Sequence, residues 1–183
     1  MKKVYTLIFG LGTFVTALDQ WSKNVALDNL QTLGQTIPFL DGFQWTLVHN
    51  YGAAFGILNT LSGPIRTIFF LTMPLAVLLI IWWTFVRHFK PSERLGPVAM
   101  GLVLGGAVGN LIDRIRFGYV IDFVDWFYTT ESSSCLPLFF RGSQSTCHWP
   151  VFNVADSAIS IAMVILISQN ILIQAKSSKK NPG

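Results

Sequence analysis

The chain has 183 residues, 51% of them hydrophobic and only 12% charged, with a formal net charge of +4 and a mean hydropathy of +0.50. A soluble domain carries roughly 25% charged residues, so this composition excludes an ordinary soluble globule. It points to one compact integral-membrane domain over residues 1–183, α-helical in class.

The first apolar run, Val4 to Leu18, follows Lys2 and Lys3 and leads into Asp19 and Lys23. No A-x-A cleavage site follows it, so it reads as a retained helix over about 4–24 rather than a removed signal peptide. An outer β segment is expected over about 28–60. Within it, TIPFLDGFQWTLVHN reads as two short strands around Asp41-Gly42, a favoured tight-turn pair. Phe43, Trp45 and Leu47 alternate onto one face, which either lies on the membrane surface or packs against the helices.

Three further runs are free of charge for about a membrane's thickness: Thr67 to Val86, Leu95 to Ile112 and Ser157 to Ala175. A spanning helix needs roughly 17–25 apolar residues. These runs predict spans at about 66–86, 95–114 and 153–175, for four in all. Pro74 is expected to kink the second. Gly101, Gly105 and Gly109 recur every four residues in the third, a spacing that lets another helix approach closely in lipid.

An extended outer loop is expected over about 116–149, holding Cys135 and Cys147. An oxidising outer compartment permits a disulfide between them, with two unpaired thiols in a flexible insertion as the alternative.

Orientation follows from the basic residues. Both termini and the loop RHFKPSER carry eight bases and one acid, against five bases and eight acids on the other side. The basic side is expected to be cytoplasmic. The pI of about 9.3 then reflects topology, and no nucleic-acid partner is implied.

The acids Asp19, Asp113, Asp122 and Asp156 all map to the outer end of the spans. Each has a bland reading. Asp19 and Lys23 can pair at i, i+4, Asp113-Arg114 can end a helix, and Asp156 can be a first-turn acid behind an Asn153 cap. Convergence at one depth is what those readings leave unexplained, because a carboxylate at membrane depth is costly. Two close carboxyls share a proton, so one can activate water while the other donates to a carbonyl oxygen. Other chemistries lack their parts. There is no H-E-x-x-H, no G-x-S-x-G and no phosphate loop, and His49, His88 and His148 are scattered, so no metal or cofactor is expected. A proton-coupled transporter is the rival reading, but its acids should cross the bilayer rather than cluster at one face. A structural scaffold would need none of them.

The blocks DQWSK at 19–23, HNYGAAFG at 49–56, GGAVGNLIDR at 105–114, GYVIDFVDW at 118–126 and FNVADSA at 152–158 resemble, in order, the lipoprotein signal peptidase (signal peptidase II) family. The resemblance covers nearly the whole chain. It implies a multi-pass aspartic endopeptidase of the bacterial inner membrane with its active site toward the periplasm; the oligomeric state is left open by the sequence, with a monomer as the expectation. Such an enzyme cleaves diacylated prolipoproteins before the lipidated cysteine, works beside membrane lipid and is inhibited by globomycin. Carried over residue by residue, it implies Asp122 and Asp156 as the catalytic pair. It implies Asp19, Lys23, Asn50, Gly52, Gly106, Asn110, Asp113, Arg114 and Asn153 as substrate-binding or supporting positions. One departure is visible: the connection from Trp126 to the FNVAD block is lengthened by an insertion at about 129–149, SSSCLPLFFRGSQSTC within it. In an extended GYVIDFVDWF, Asp122 and Asp125 point to opposite faces. Asp122 is then expected to face Asp156, and Asp125 to be a wet-side or turn residue.

Overall fold

A computed structural model describes residues 2–52, 95–132, 134–142 and 145–180, with single positions between 72 and 83. The second predicted span, its Pro74 and the loop RHFKPSER lie outside the continuously described residues. The elements run α1 (Lys2–Asn29), β1 (Thr36–Leu40), β2 (Phe43–Asn50), α2 (Leu95–Phe117), β3 (Val120–Thr129), β4 (Phe140–Arg141), β5 (Thr146–His148) and α3 (Val154–Lys180). Among the described residues, two helices are long and apolar enough to cross a membrane, Leu95–Phe117 and Val154–Leu172. The exposed side chains of α3, Ile161, Val164, Ile167 and Ile171 among them, are those of a lipid-facing helix.

Helix α2 lies between α1 and α3, and its glycines are why. A Cβ on Gly105 would sit 2.6 Å from the carbonyl oxygen of Gly12 in α1, and one on Gly106 would sit 2.5 Å from that of Ala155 in α3. The two neighbouring glycines therefore open opposite sides of one helix to two partners. In the gap against α1, the Thr16 hydroxyl donates to the Gly105 carbonyl at 3.1 Å.

The strands form one antiparallel sheet in the order β1-β2-β3-β5-β4. The β1–β2 turn lies at Asp41-Gly42, where Gly42 has φ 79°. The expected alternation along β2 does not hold to its end. Trp45 opposes Val124, but Val48 opposes Asp122, so Thr46 and Leu47 together face Phe123 across a bulge. Leu47 thereby leaves the Phe43–Trp45 face. It packs with Ala26 of α1, Leu30 just beyond that helix, and Ile121 and Phe123 of β3. The sheet is thus seated on the end of α1 through β2 and β3, while β1 keeps Phe39 and Leu40 exposed.

Described residues of the segment expected as a loop at 116–149 join the sheet. Strand β5 pairs with Phe127–Thr129 of β3, and Cys135 is disulfide-bonded to Cys147 with 5.7 Å between their Cα atoms.

Candidate active site

Buried polar residues collect where α1, α2, β3 and the start of α3 meet. The centre is Lys23, 1% exposed. Its three ammonium protons meet three acceptors: Asp19 Oδ2 at 2.8 Å, Asp113 Oδ2 at 2.7 Å and Asn110 Oδ1 at 3.1 Å. One cation between two carboxylates is the arrangement that lets charge persist in a dry interior. The i, i+4 pairing with Asp19 is therefore one arm of a three-helix junction. Asp19 also accepts the Ala155 backbone N–H at 2.9 Å, tying α1 to the first turn of α3. A Cβ on Gly109 would fall 2.5 Å from Asp19 Oδ2, so only glycine leaves this carboxylate its place.

Asp113 joins the junction to the sheet. Its Oδ2 accepts the Ile121 backbone N–H at 3.1 Å, fixing the start of β3 one residue before Asp122. Gln20 completes the set, donating from Nε2 to Asp113 Oδ1 at 2.8 Å and to the Gly109 carbonyl at 3.1 Å. Sequence reasoning passed over Gln20, because a glutamine beside Asp19 carries no signal that separates it from a surface residue.

Asn153 opens α3 as its N-cap. Its Oδ1 accepts the Asp156 N–H at 2.9 Å, and Asp156 Oδ2 accepts the Asn153 N–H at 3.3 Å. This reciprocal capping box satisfies two helix-end donors and holds the Asp156 carboxylate at the positive end of the helix. The Asn153 side-chain amide donates to Asp122 Oδ1 at 2.7 Å and to Asn110 Oδ1 at 3.1 Å. The Asn110 amide in turn donates to Asp156 Oδ1 at 2.8 Å. Two asparagines thus link Asp122 and Asp156 by hydrogen bonds, while Asp156 stays half-exposed.

Asp122 is 1% exposed. Its second oxygen accepts the Asn50 amide at 2.9 Å. The β2 bulge makes that contact: it brings Asn50 opposite Val120, onto the Asp122 face of the sheet. Without the extra residue Asn50 would point the other way. Asn50 Oδ1 accepts the Gly52 N–H at 2.8 Å, and Gly52 has φ 84°, a left-handed turn suited to glycine. Burial, and then the neighbouring Asp156 charge, push the Asp122 carboxyl up to about 7 despite its two amide donors. Arg114 donates to the Asn110 carbonyl at 3.2 Å and lies within electrostatic reach of Asp156, Asp122 and Asp113.

The expectation for Asp125 is overturned. It is 2% exposed, not wet. It accepts Gln44 Nε2 at 2.7 Å and the Thr46 hydroxyl at 2.9 Å, and meets His148 Nδ1 at 2.8 Å. Asp125 is enclosed between β2, which supplies Gln44 and Thr46, and the insertion, whose strand β5 brings His148 alongside β3. The opposite-face relation does hold, since the partners of Asp125 are distinct from those of Asp122. Among the described residues no group of His, Cys, Asp and Glu is placed to hold a metal ion.

A family model described as "Signal peptidase (SPase) II" matches residues 11–172. The chain is 38% identical over 164 residues to the lipoprotein signal peptidase of Alteromonas mediterranea, covering 90% of this chain and 80% of that one. It is 36% identical to the lipoprotein signal peptidase of Geobacter metallireducens, covering 99% and 100%. A solved structure titled "Bacterial membrane enzyme structure by the in meso method at 2.3 A resolution" superposes with a TM-score of 0.67 at 26% identity, over 96% of this chain and 92% of that one.

Proposed function

The chain belongs to the signal peptidase II family, and from that premise we propose that Asp122 and Asp156 are its catalytic pair. It is an aspartic-type protease of the bacterial inner membrane that removes signal peptides from prolipoproteins. The observation that most supports the pair is the bridge between two carboxylates, Asp122–Asn153–Asn110–Asp156, beside the separate cluster centred on Lys23.

The mechanism follows from the environment of each carboxyl. Asp122, held protonated to about pH 7, is the general acid. Asp156 sits where a helix N-terminus favours an anion, and it is the general base. A water between them loses a proton to Asp156 and attacks the scissile carbonyl carbon, while Asp122 protonates the carbonyl oxygen. The gem-diol collapses as Asp156 returns its proton to the leaving amide nitrogen and Asp122 recovers one from a hydroxyl. Asn50, Asn110 and Asn153 orient the pair. Arg114, Gly52 and Gly106 shape the substrate path. Asp19, Lys23 and Asp113 brace the helices.

In this reading the protein is one four-span domain, monomeric, with both termini cytoplasmic. The sheet and the 129–149 insertion are on the periplasmic side, next to lipid. The substrate is a diacylglyceryl-modified prolipoprotein, cut just before the modified cysteine, and globomycin competes for the site. The test uses purified full-length protein in phospholipid vesicles with diacylated and unmodified prolipoprotein. Cleavage confined to the diacylated form, blocked by globomycin and lost in Asp156→Asn, is expected. Near wild-type cleavage by Asp156→Asn refutes the pair.

A further inference from the structure

The insertion ends in side chains that nothing in the described structure covers. Leu136, Leu138 and Phe140 are 61%, 58% and 56% exposed. They are held out by a rigid base. The Cys135–Cys147 disulfide closes the arm, the Tyr128 hydroxyl accepts the Leu136 N–H at 2.8 Å, and Arg141 donates to the Ser132 carbonyl at 2.6 Å. Phe139 turns inward, its ring centroid 5.1 Å from that of Trp126 and 5.5 Å from that of Trp149. Leu138 has φ 72°, a left-handed conformation that costs a non-glycine residue energy. Backbone strain spent on exposing a leucine calls for a partner that rewards it.

We propose that this disulfide-braced arm is an interfacial anchor whose Leu136, Leu138 and Phe140 enter the headgroup boundary of the bilayer that the helices cross. The lipid surface is favoured over a protein partner by continuity and by charge. Beyond Trp149 the chain passes through Phe152, paired with Val124, directly into α3, whose exposed face is lipid-facing. Trp and Tyr beneath the exposed tips are the residue types that settle at the membrane–water boundary. Over 129–149 the sequence carries one acid, Glu131 at the foot of the arm, and one Lys or Arg, Arg141, so the arm is near neutral and little charge opposes its entry into a lipid surface. The arm is no lid, because β5 is fastened to Phe127–Thr129, the end of β3 away from Asp122. The inference needs the membrane setting but not the catalytic assignment.

The experiment places p-acetylphenylalanine at position 138, leaving Cys135 and Cys147 paired, couples a nitroxide to it and reconstitutes the full chain in anionic phospholipid bilayers. Position 136 serves as a second site if 138 impairs folding, and Ile167 and Glu131 serve as lipid and water references. The expected result is a ratio of oxygen to nickel-chelate accessibility clearly above that at Glu131 and below that at Ile167, as a boundary depth requires. A ratio like that at Glu131 would overturn the proposal by putting the arm in water. Protection from both quenchers would overturn it by putting a protein, or a second copy, on the arm. Because the readout is not activity, it stands or falls apart from the dyad.

Discussion

Asp122 and Asp125 sit three residues apart on one strand and are equally buried, yet their surroundings differ in kind. Asp125 is met by an amide, a hydroxyl and an imidazole from β2 and β5, so its oxygens are satisfied by donors alone. Asp122 is met by two neutral amides and the field of a second carboxylate. Burial by itself therefore does not mark a catalytic acid. A buried carboxylate crowded by another carboxylate is set up for proton transfer, and one ringed by donors is a fastening.

The largest expected difference between the two lies in turnover. Asp122→Asn should lower kcat by about 10²–10⁴-fold, the usual range for losing a general acid. Asp125→Asn should keep kcat close to wild type. Equal losses in both would break the contrast.

The next effect concerns the charge that lets the site exist. Lys23→Met leaves Asp19 and Asp113 buried without their shared cation. It should destabilise the protein by about 3–5 kcal/mol, read as a lower thermal midpoint in detergent micelles. An unchanged midpoint would mean that the junction does not depend on the lysine.

Linkage gives a third. Asp122 carries a folded-state pKa of about 7, raised from 3.8, so the folded state binds the proton more tightly than the unfolded state does. Its contribution is most favourable below about pH 4 and is lost as pH rises to about 7, by up to about 4 kcal/mol. The difference in stability between wild type and Asp122→Asn should therefore change across that window and be flat above it. A difference that is flat throughout would place the Asp122 carboxyl in the ordinary range.

The smallest is Asp125→Asn itself. Replacing an acceptor-only carboxylate with an amide mismatches at least one of its three donors and should cost about 1–3 kcal/mol. That loss should be seen as a lower midpoint with the catalytic pH profile unchanged.

The parts legible in the sequence are those with a simple period or a strong local signal. Charge-free runs mark α2 and α3, the glycine spacing gives the close face of α2, and Asp41-Gly42 gives the β1–β2 turn. Asn153 followed by Asp156 announces a capped helix start. Less legible were features that depend on pairing between distant segments. The bulge at Thr46-Leu47 is invisible in an alternating string, yet it moves Leu47 into the core and turns Asn50 toward Asp122. Asp125 is enclosed by β2 on one side and, on the other, by β5 returning 23 positions later with His148. No local pattern in SSSCLPLFFRGSQSTC encodes that return.

The most direct test of the pair is to follow the Asp122 carboxyl carbon by NMR through a pH titration, in wild type and in Asp156→Asn. The account predicts a titration near pH 7 in wild type that moves clearly downward when the neighbouring charge is removed. A titration near the ordinary aspartate value, or one that does not respond to Asp156, would contradict it.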